Sequence, residues 1–451
     1  MPNSFESKTK REIMIEIGQI TGDEPGDNDI IFNIALDLNG KQAWQLVDKI
    51  LLDFKHNITP KYLKLYTKQL RVILANLYRV NNIEKNLYVF YSRDRGYYKK
   101  SKRYNPNGIS FRPLIFLVDS LNEYGWIEHI KGRYKKEIKK GTRSRMCPSQ
   151  KLLQAFDEFK ITPQYLDTKQ MDCIRLKDTK KKFKEYDDNS GTRLMRTKLQ
   201  AYNKLLHRTN IELTRNKKVS NYLKINPINF NNKDYYRIFN DNSFELGGRY
   251  YGSWWVNLSK DIREYITIND NKTVELDYAN LNIHLLYSEE GLNYYDLNEP
   301  NADPYILKGV DENQRGINKL IITIALNIKD KSKFVYAVKG GIKGNNDKNY
   351  SLGNKESLNI PYAKEIWRRI KLFEKENSPI KHHLFSGVGK RLQFKDSCIA
   401  ESIIDNMVNK NIPILAIHDS FIVQHQNASS LYKSMDYIFR SFKLKSVPKI
   451  K

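Results

Sequence analysis

Two carboxylates stand where buried strands should carry no charge. Asp419 lies within residues 412–423, IPILAIHDSFIV, an apolar β-forming run interrupted only by His418, Asp419 and Ser420. Desolvating an ionised Asp is costly without a compensating cation, so this one calls either for a tight turn between two short strands or for a bound metal. Residues 274–287, VELDYANLNIHLLY, repeat the pattern: a strand-like run ends at Asp277, and Leu281, Leu285 and Leu286 begin a helical one. Between the two acids, RGINKLIITIALN at 315–327 sets Arg315 and Lys319 four residues apart on one face of an amphipathic helix. Exposed helix charges are the plain reading of that pair, but they precede an otherwise apolar face. Acid, cationic helix, acid is an order suited to nucleotidyl transfer. Two Asp on adjacent strands can hold two Mg²⁺ about 3.5–4 Å apart while Lys and Arg neutralise a triphosphate.

These segments carry a resemblance. DYANLNIHLLY resembles motif A of the A-family DNA polymerases and the single-subunit phage RNA polymerases, and RGINKLIITIALN is similar to their motif B. IHDSF resembles motif C, with the Ser-Phe ending of the phage-type RNA polymerases in place of His-Asp-Glu. LGGRYYGSWW, with Glu245 three residues before Gly248, resembles the template-contacting DxxGR block of the single-subunit RNA polymerases. LQFKDSCIAESII at 392–404 resembles the helix before motif C that offers a Gln, here Gln393. The five blocks fall in the family's order across about residues 240–425.

The resemblance implies an α+β right-hand polymerase: a palm with an antiparallel sheet, helical fingers and thumb, and a helical, winged-helix-like domain in front. It implies that Asp277 and Asp419 ligate two Mg²⁺, or Mn²⁺ in their place. Lys319 and Arg315 would act on the departing phosphates, with Lys319 a candidate proton donor and His418 at the primer terminus. Tyr278, Asn282, Arg315, Lys319, Thr323 and Asn327 would surround the nucleotide; Gly248, Arg249, His284, Gln393 and His418 would face nucleic acid. The chain departs from the family at Asn282, where a Glu blocks the ribose 2′-OH, at Asn327 and Ile328, where Tyr and Gly are usual, and at His284, where Arg is expected. Sugar selection is therefore expected to be relaxed. The expected activity is template-directed addition of NTP or dNTP to a 3′-OH on primer-template DNA, by a compact DNA polymerase or primase-polymerase of a phage or mobile element without a proofreading nuclease. A single-subunit DNA-directed RNA polymerase is the near alternative, and a non-catalytic winged-helix DNA-binding regulator the distant one.

The rest of the chain must position these residues. Among 451 residues, 77 Lys and Arg exceed 51 Asp and Glu, a net charge of +26 that favours a polyanionic partner. Three widely spaced cysteines give no disulfide framework, and neither a long apolar run nor a signal-like N-terminus is present, so a cytoplasmic protein without membrane contact is expected. The pattern divides into 1–165, helical and winged-helix-like; 166–240, linker and thumb-like helices; and 241–451, palm and fingers. Residues 1 to about 40 read as a loose arm, and 42–54 and 62–78 as amphipathic helices. A helix capped by Ser110 and stopped by Gly125 leads to a strand at 126–130. A basic wing follows, with Arg133, Lys135, Lys136, Lys139, Lys140, Arg143 and Arg145 near phosphates. Residues 165–190 read as a charged linker, 195–213 as a thumb helix, and 339–357 as a polar, Gly-rich loop. Gly247 and Gly248 would admit the template backbone, and Arg249 would pair with a phosphate. Asp396 and Glu401 read as surface or cap charges, and Glu275 as an auxiliary carboxylate or the orienter of a basic group.

Overall fold

The computed structural model describes residues 29–83, 87–98, 102–135, 140–169, 171–226, 228, 230, 232–347 and 361–451. The chain is α+β, with mainly antiparallel sheets, and it divides into two compact units: 1–172 with 220–229, and 173–219 with 230–451.

In the first unit, α1 (Lys41–Phe54), α2 (Leu63–Ile83) and α3 (Phe111–Glu123) turn leucine-rich faces inward. Leu46, Ile50, Leu70, Leu74, Leu114, Leu117 and Leu121 are fully buried there. Ser110 takes the N-cap position of α3 but accepts a hydrogen bond from Gln69 (2.9 Å) instead of capping the helix, and Gly125, at φ 73°, ends it. Strand β3 (Ile127–Ile130) then pairs antiparallel with β4 (Ser144–Pro148). On the far side of β4 lies β2 (Val89–Tyr91), and β1 (Ile30–Ile31) joins β2 in parallel.

Two further expectations fail in this unit. Residues 30–38 are no loose arm: Phe32, Ile34, Leu36 and Leu38 belong to the core, and Asn107 donates to the carbonyls of Ile34 (3.0 Å) and Leu36 (2.8 Å). Arg145 is not at the surface: it is 1% exposed, 3.8 Å from Asp29, with its guanidinium 5.3 Å from the Tyr88 ring centroid. Arg133 and Arg143 are exposed; Lys136 and Lys139 lie outside the described residues.

The second unit holds two sheets. One runs β6 (Phe183–Lys184), β5 (Ile174–Lys177), β7 (Tyr236–Asn240), β8 (Ser243–Tyr251), with β5 and β7 parallel. The segment expected to be a linker thus supplies two strands. The other, antiparallel throughout, runs Ile211–Leu213, β9 (Ile266–Ile268), β10 (Asn271–Asp277), β12 (Ser420–Gln424), β11 (Leu415–Ile417). Helix α4 (Ser190–Arg208) buries Leu199, Tyr202, Leu205 and Leu206, and Tyr202 donates to the Ile414 carbonyl (2.7 Å). Two of its cations, Arg196 and Lys198, are engaged with Asp188 (2.7 Å) and Asp405 (2.6 Å) within this unit, while Lys204 and Arg208 are exposed. Helix α5 (Leu281–Glu289) leaves β10 directly. After α6 (Arg315–Asn327), the helix Phe334–Asp347 covers the first part of the expected loop, whose residues 348–357 lie outside the described residues. Helix α7 (Gly389–Asn409) packs across β8.

That packing explains one of the two glycines. Gly248 has φ 80°, and a Cβ there would come within 2.8 Å of the Phe239 ring and of Ser397 Oγ on α7. The close approach it permits is to α7, not to a nucleic acid. Gly248→Ala is therefore expected to cost about 1–3 kcal/mol in denaturant unfolding, from a strained backbone and an overfilled contact together, whereas Gly291→Ala, at φ 71° with open space around it, is expected to cost less.

Candidate active site

Strand β12 is sandwiched between β10 and β11 and buried at every residue, with the apolar run Phe421–Val423 at its centre and the polar Ser420 and Gln424 at its ends. It joins β11 through a two-residue turn, His418–Asp419, with Ile417 opposite Ser420. His418 sits at φ 60°, the left-handed conformation such a turn demands and a non-glycine residue resists. Asp277 closes β10 opposite Ser420, so Asp277 and Asp419 emerge at the same end of adjacent strands, and the Tyr278 N–H faces the Asp419 carbonyl at 3.4 Å. On the other side, Asp277 exchanges both backbone hydrogen bonds with Lys451, each 2.9 Å. The peptide carrying Asp277 is thus fixed from two directions.

Water reaches Asp277, yet enough protein surrounds its carboxyl that desolvation is the main cause pushing it up to about 7; the Asp419 charge adds to this, and Lys319 opposes it. Glu275 also raises it and Lys260 lowers it. Lys319, exposed on α6, is therefore within electrostatic reach of the acid pair. Arg315, one turn earlier, is held differently: Nε donates to Asp303 (2.8 Å) and Nη2 to Asn280 (3.0 Å). Asn280, left-handed at φ 58°, starts α5 three residues after Asp277. Arg315 thereby ties the cationic helix to the turn that follows the first acid.

A second layer supports the pair. Arg249 Nε donates to Asp396 Oδ2 at 2.7 Å, and Asp396 is buried. Burial acts on these two in opposite directions and Asp419 in the same one: Asp396 is pushed up by desolvation, with Arg249 opposing and Asp419 adding; Arg249 is raised by Asp396 and Asp419 against its own desolvation. Arg249 therefore serves both acids and is engaged within the protein, although a phosphate was its expected partner. His418, held down to about 4 by burial and Arg249, packs its ring 6.1 Å from that of Tyr251, and its buried Nδ1 has no hydrogen-bond partner among the described residues. Glu275 takes the orienting role: it accepts both bonds of Arg263 (2.7 and 2.9 Å) and the Ser420 hydroxyl (2.7 Å).

Of the other expected site residues, Tyr278 and His284 are enclosed. Tyr278 is buried, donating to the Met435 carbonyl (2.7 Å). His284 is fully buried, bonded through Nδ1 to Ser446 Oγ (2.8 Å) and packed by Tyr294 and Tyr295; an enclosed imidazole cannot meet nucleic acid. Asn282, Thr323 and Gln393 are half-buried on the first turn of α5, on α6 and on α7. Asn327 is exposed, its amide donating to the Thr323 carbonyl (2.7 Å) and standing against Gly389, where any Cβ would collide with it. The expectation missed for Asp396 and Glu401 is corrected by burial: Asp396 lies beneath the site, and Glu401 pairs with the buried Arg237. The signal was present, since Leu392, Asp396, Ile399 and Ile403 follow the i, i+4, i+7, i+11 spacing of one buried helix face. Lys260 was missed because nothing local marks it.

Comparison with protein-family models and with curated proteins finds no match for this chain.

Two outcomes follow from the buried groups. Arg249→Met leaves Asp396 without its partner and is expected to cost about 3–5 kcal/mol, while Arg249→Met with Asp396→Leu should recover most of that in the same denaturant series. His284 is lowered from 6.5 to about 4 by burial, so the unfolded chain binds its proton first. The stability His284 contributes is present above pH 6.5 and lost as pH falls to about 4; thermal midpoints of His284→Asn, whose amide can still meet Ser446, should fall less steeply over that window than those of the wild type.

Proposed function

We propose that the chain is a template-directed nucleotidyltransferase that extends a 3′-OH, with Asp277 and Asp419 as its two essential carboxylates. The observation that carries this reading is their meeting. Two acids 142 residues apart in sequence come to one end of neighbouring strands, beside an exposed Lys from the intervening helix. The donor set is all oxygen and reachable by water, and desolvation followed by the Asp419 charge makes Asp277 hard to ionise without a further cation; it fits Mg²⁺ or Mn²⁺. When bound there, divalent ions supply the charge that makes a 3′-hydroxyl a better nucleophile and stabilises the phosphates in flight. Lys319 is free to meet the triphosphate and to give a proton to the leaving pyrophosphate. Arg315 keeps α6 in register with the acid pair through Asn280 and Asp303, and its half-exposed guanidinium can accept one phosphate contact besides. Arg249 and Asp396 hold the His418–Asp419 turn from below, and His418 lines the approach to Asp419. Neither Asn282 nor Asn327 brings the bulk or charge that would exclude a ribose, which supports use of both sugar types.

Hairpin primer-templates of DNA and RNA, each supplied with dNTPs and with NTPs, and unprimed templates alongside, test the reading. Asp277→Asn and Asp419→Asn should each lower nucleotide incorporation by at least about a thousandfold. Because the substitution relieves like-charge repulsion, the thermal midpoint should hold or rise. Full extension by either purified variant would exclude these roles.

A further inference from the structure

A second group of ligating side chains lies outside the acid pair. Glu290 follows the last turn of α5, and His382 and His383 end the 3-10 segment Ser378–His383. Glu290 Oε1 is 3.2 Å from His382 Nε2 and 2.9 Å from His383 Nε2, and the two ring centroids are 4.1 Å apart. Consecutive side chains on a 3-10 helix leave the axis about 120° apart, so two that close on the same oxygen have been drawn together against their natural divergence.

Neutralising a carboxylate does not require this. The chain has 77 Lys and Arg, and the neighbouring Glu289 is met by Arg391 (2.5 Å) and Lys395 (2.7 Å). Among the described residues, Glu290 forms ion pairs with the two histidines and with no Lys or Arg. It also stands at the C-terminal end of α5, where unsatisfied carbonyls add negative potential and favour a bound cation.

We propose that Glu290, His382 and His383 bind a transition-metal ion of the Zn²⁺ class. The three ligand atoms all lie within 4.8 Å of one another. The 2.9 and 3.2 Å separations come close to the edge of about 3.3 Å in a tetrahedron built on bonds of about 2.0–2.1 Å. Two imidazoles and one carboxylate select Zn²⁺ over Mg²⁺, the opposite of the oxygen-only pair Asp277 and Asp419. His383 is 11% exposed and His382 57%, so the ion would be anchored on a buried side and open to water on the other. Its effect would be mechanical. It fastens the far end of α5, the helix that starts beside Asp277, to the segment leading into α7, the helix that carries Asp396. The inference does not depend on the proposed polymerase activity.

The test uses the full chain, stripped by a chelator and titrated with Zn²⁺ in excess Mg²⁺ so that the oxygen-only pair is occupied. About one Zn²⁺ per chain should bind, the thermal midpoint should rise, and Co²⁺ in its place should give the strong visible bands of a four-coordinate site. Glu290→Gln with His382→Asn, both at solvent-reached positions, should weaken Zn²⁺ binding more than about 100-fold and abolish both responses while metal-free circular dichroism is unchanged. His382→Asn alone should weaken binding in the same direction. Failure of the wild type to bind Zn²⁺ in excess Mg²⁺, or equal binding by wild type and variants, would overturn the assignment.

Discussion

Asp277 and Asp419 repel each other, and backbone hydrogen bonds keep them together. Five consecutive pairs, from Thr273 opposite Gln424 to Asp277 opposite Ser420, set the register of β10 on β12. A slip of one residue would turn Asp277 to the other face and send Glu275 and Leu276 into each other's surroundings. The slip is blocked because β12 is buried on both faces and because the Lys451 peptide closes on Asp277 from the opposite edge. Repulsion between the acids is therefore borne by a ladder that has no alternative pairing of comparable quality.

The surrounding charges are arranged so that this repulsion is reduced but not removed. Glu275, the other acid on β10, is neutralised by a two-pronged contact with Arg263. Arg249 reaches Asp419 only from beneath and is shared with Asp396. Lys319 and Lys260 act from the solvent side without an ion pair to Asp277 among the described residues, so their attraction is screened by water. What remains is a carboxyl that stays hard to ionise, an arrangement that wastes stability unless another cation arrives. The proposed chemistry and the residual electrostatic cost are two aspects of the same geometry.

Much of this was legible because a charge inside an apolar run is improbable by composition alone. Asp277 and Asp419 stood out for that reason, and Arg315 and Lys319 stood out by sharing a helix face. The two strands at 174–177 and 183–184 were illegible because the outward positions of the first, Arg175 and Lys177, are cationic: Ile174 and Leu176 form its inward pair, too short for a period-two signal. Arg175 and Lys177 read as linker charges, yet each lies over an aromatic ring, Tyr236 at 3.5 Å and Phe183 at 5.2 Å. His284 matches a motif position, but its place on the apolar face with Leu281 and Leu285, three before and one after, is what buries it. Asp396 was passed over although its spacing put it in that same kind of face.

Helix α7 shows why those buried charges are where they are. Along one helix, Asp396 is met by Arg249 from β8, Glu401 by Arg237 from β7 and by Lys198 from α4, and Asp405 by Lys198 again. Replacing such pairs by apolar residues would cost nothing in burial and would often stabilise the fold, so stability alone does not account for them. An apolar face tolerates rotation of a helix by a fraction of a turn; three acids each matched to a cation on a different element do not, since turning α7 by one residue, about 100°, would leave all three unpaired. The rotation they select is the one that brings Asp396 under Arg249 and Arg249 under Asp419. The ion pairs of α7 thus act on the candidate active site through geometry: they fix where the guanidinium beneath the hairpin turn must stand.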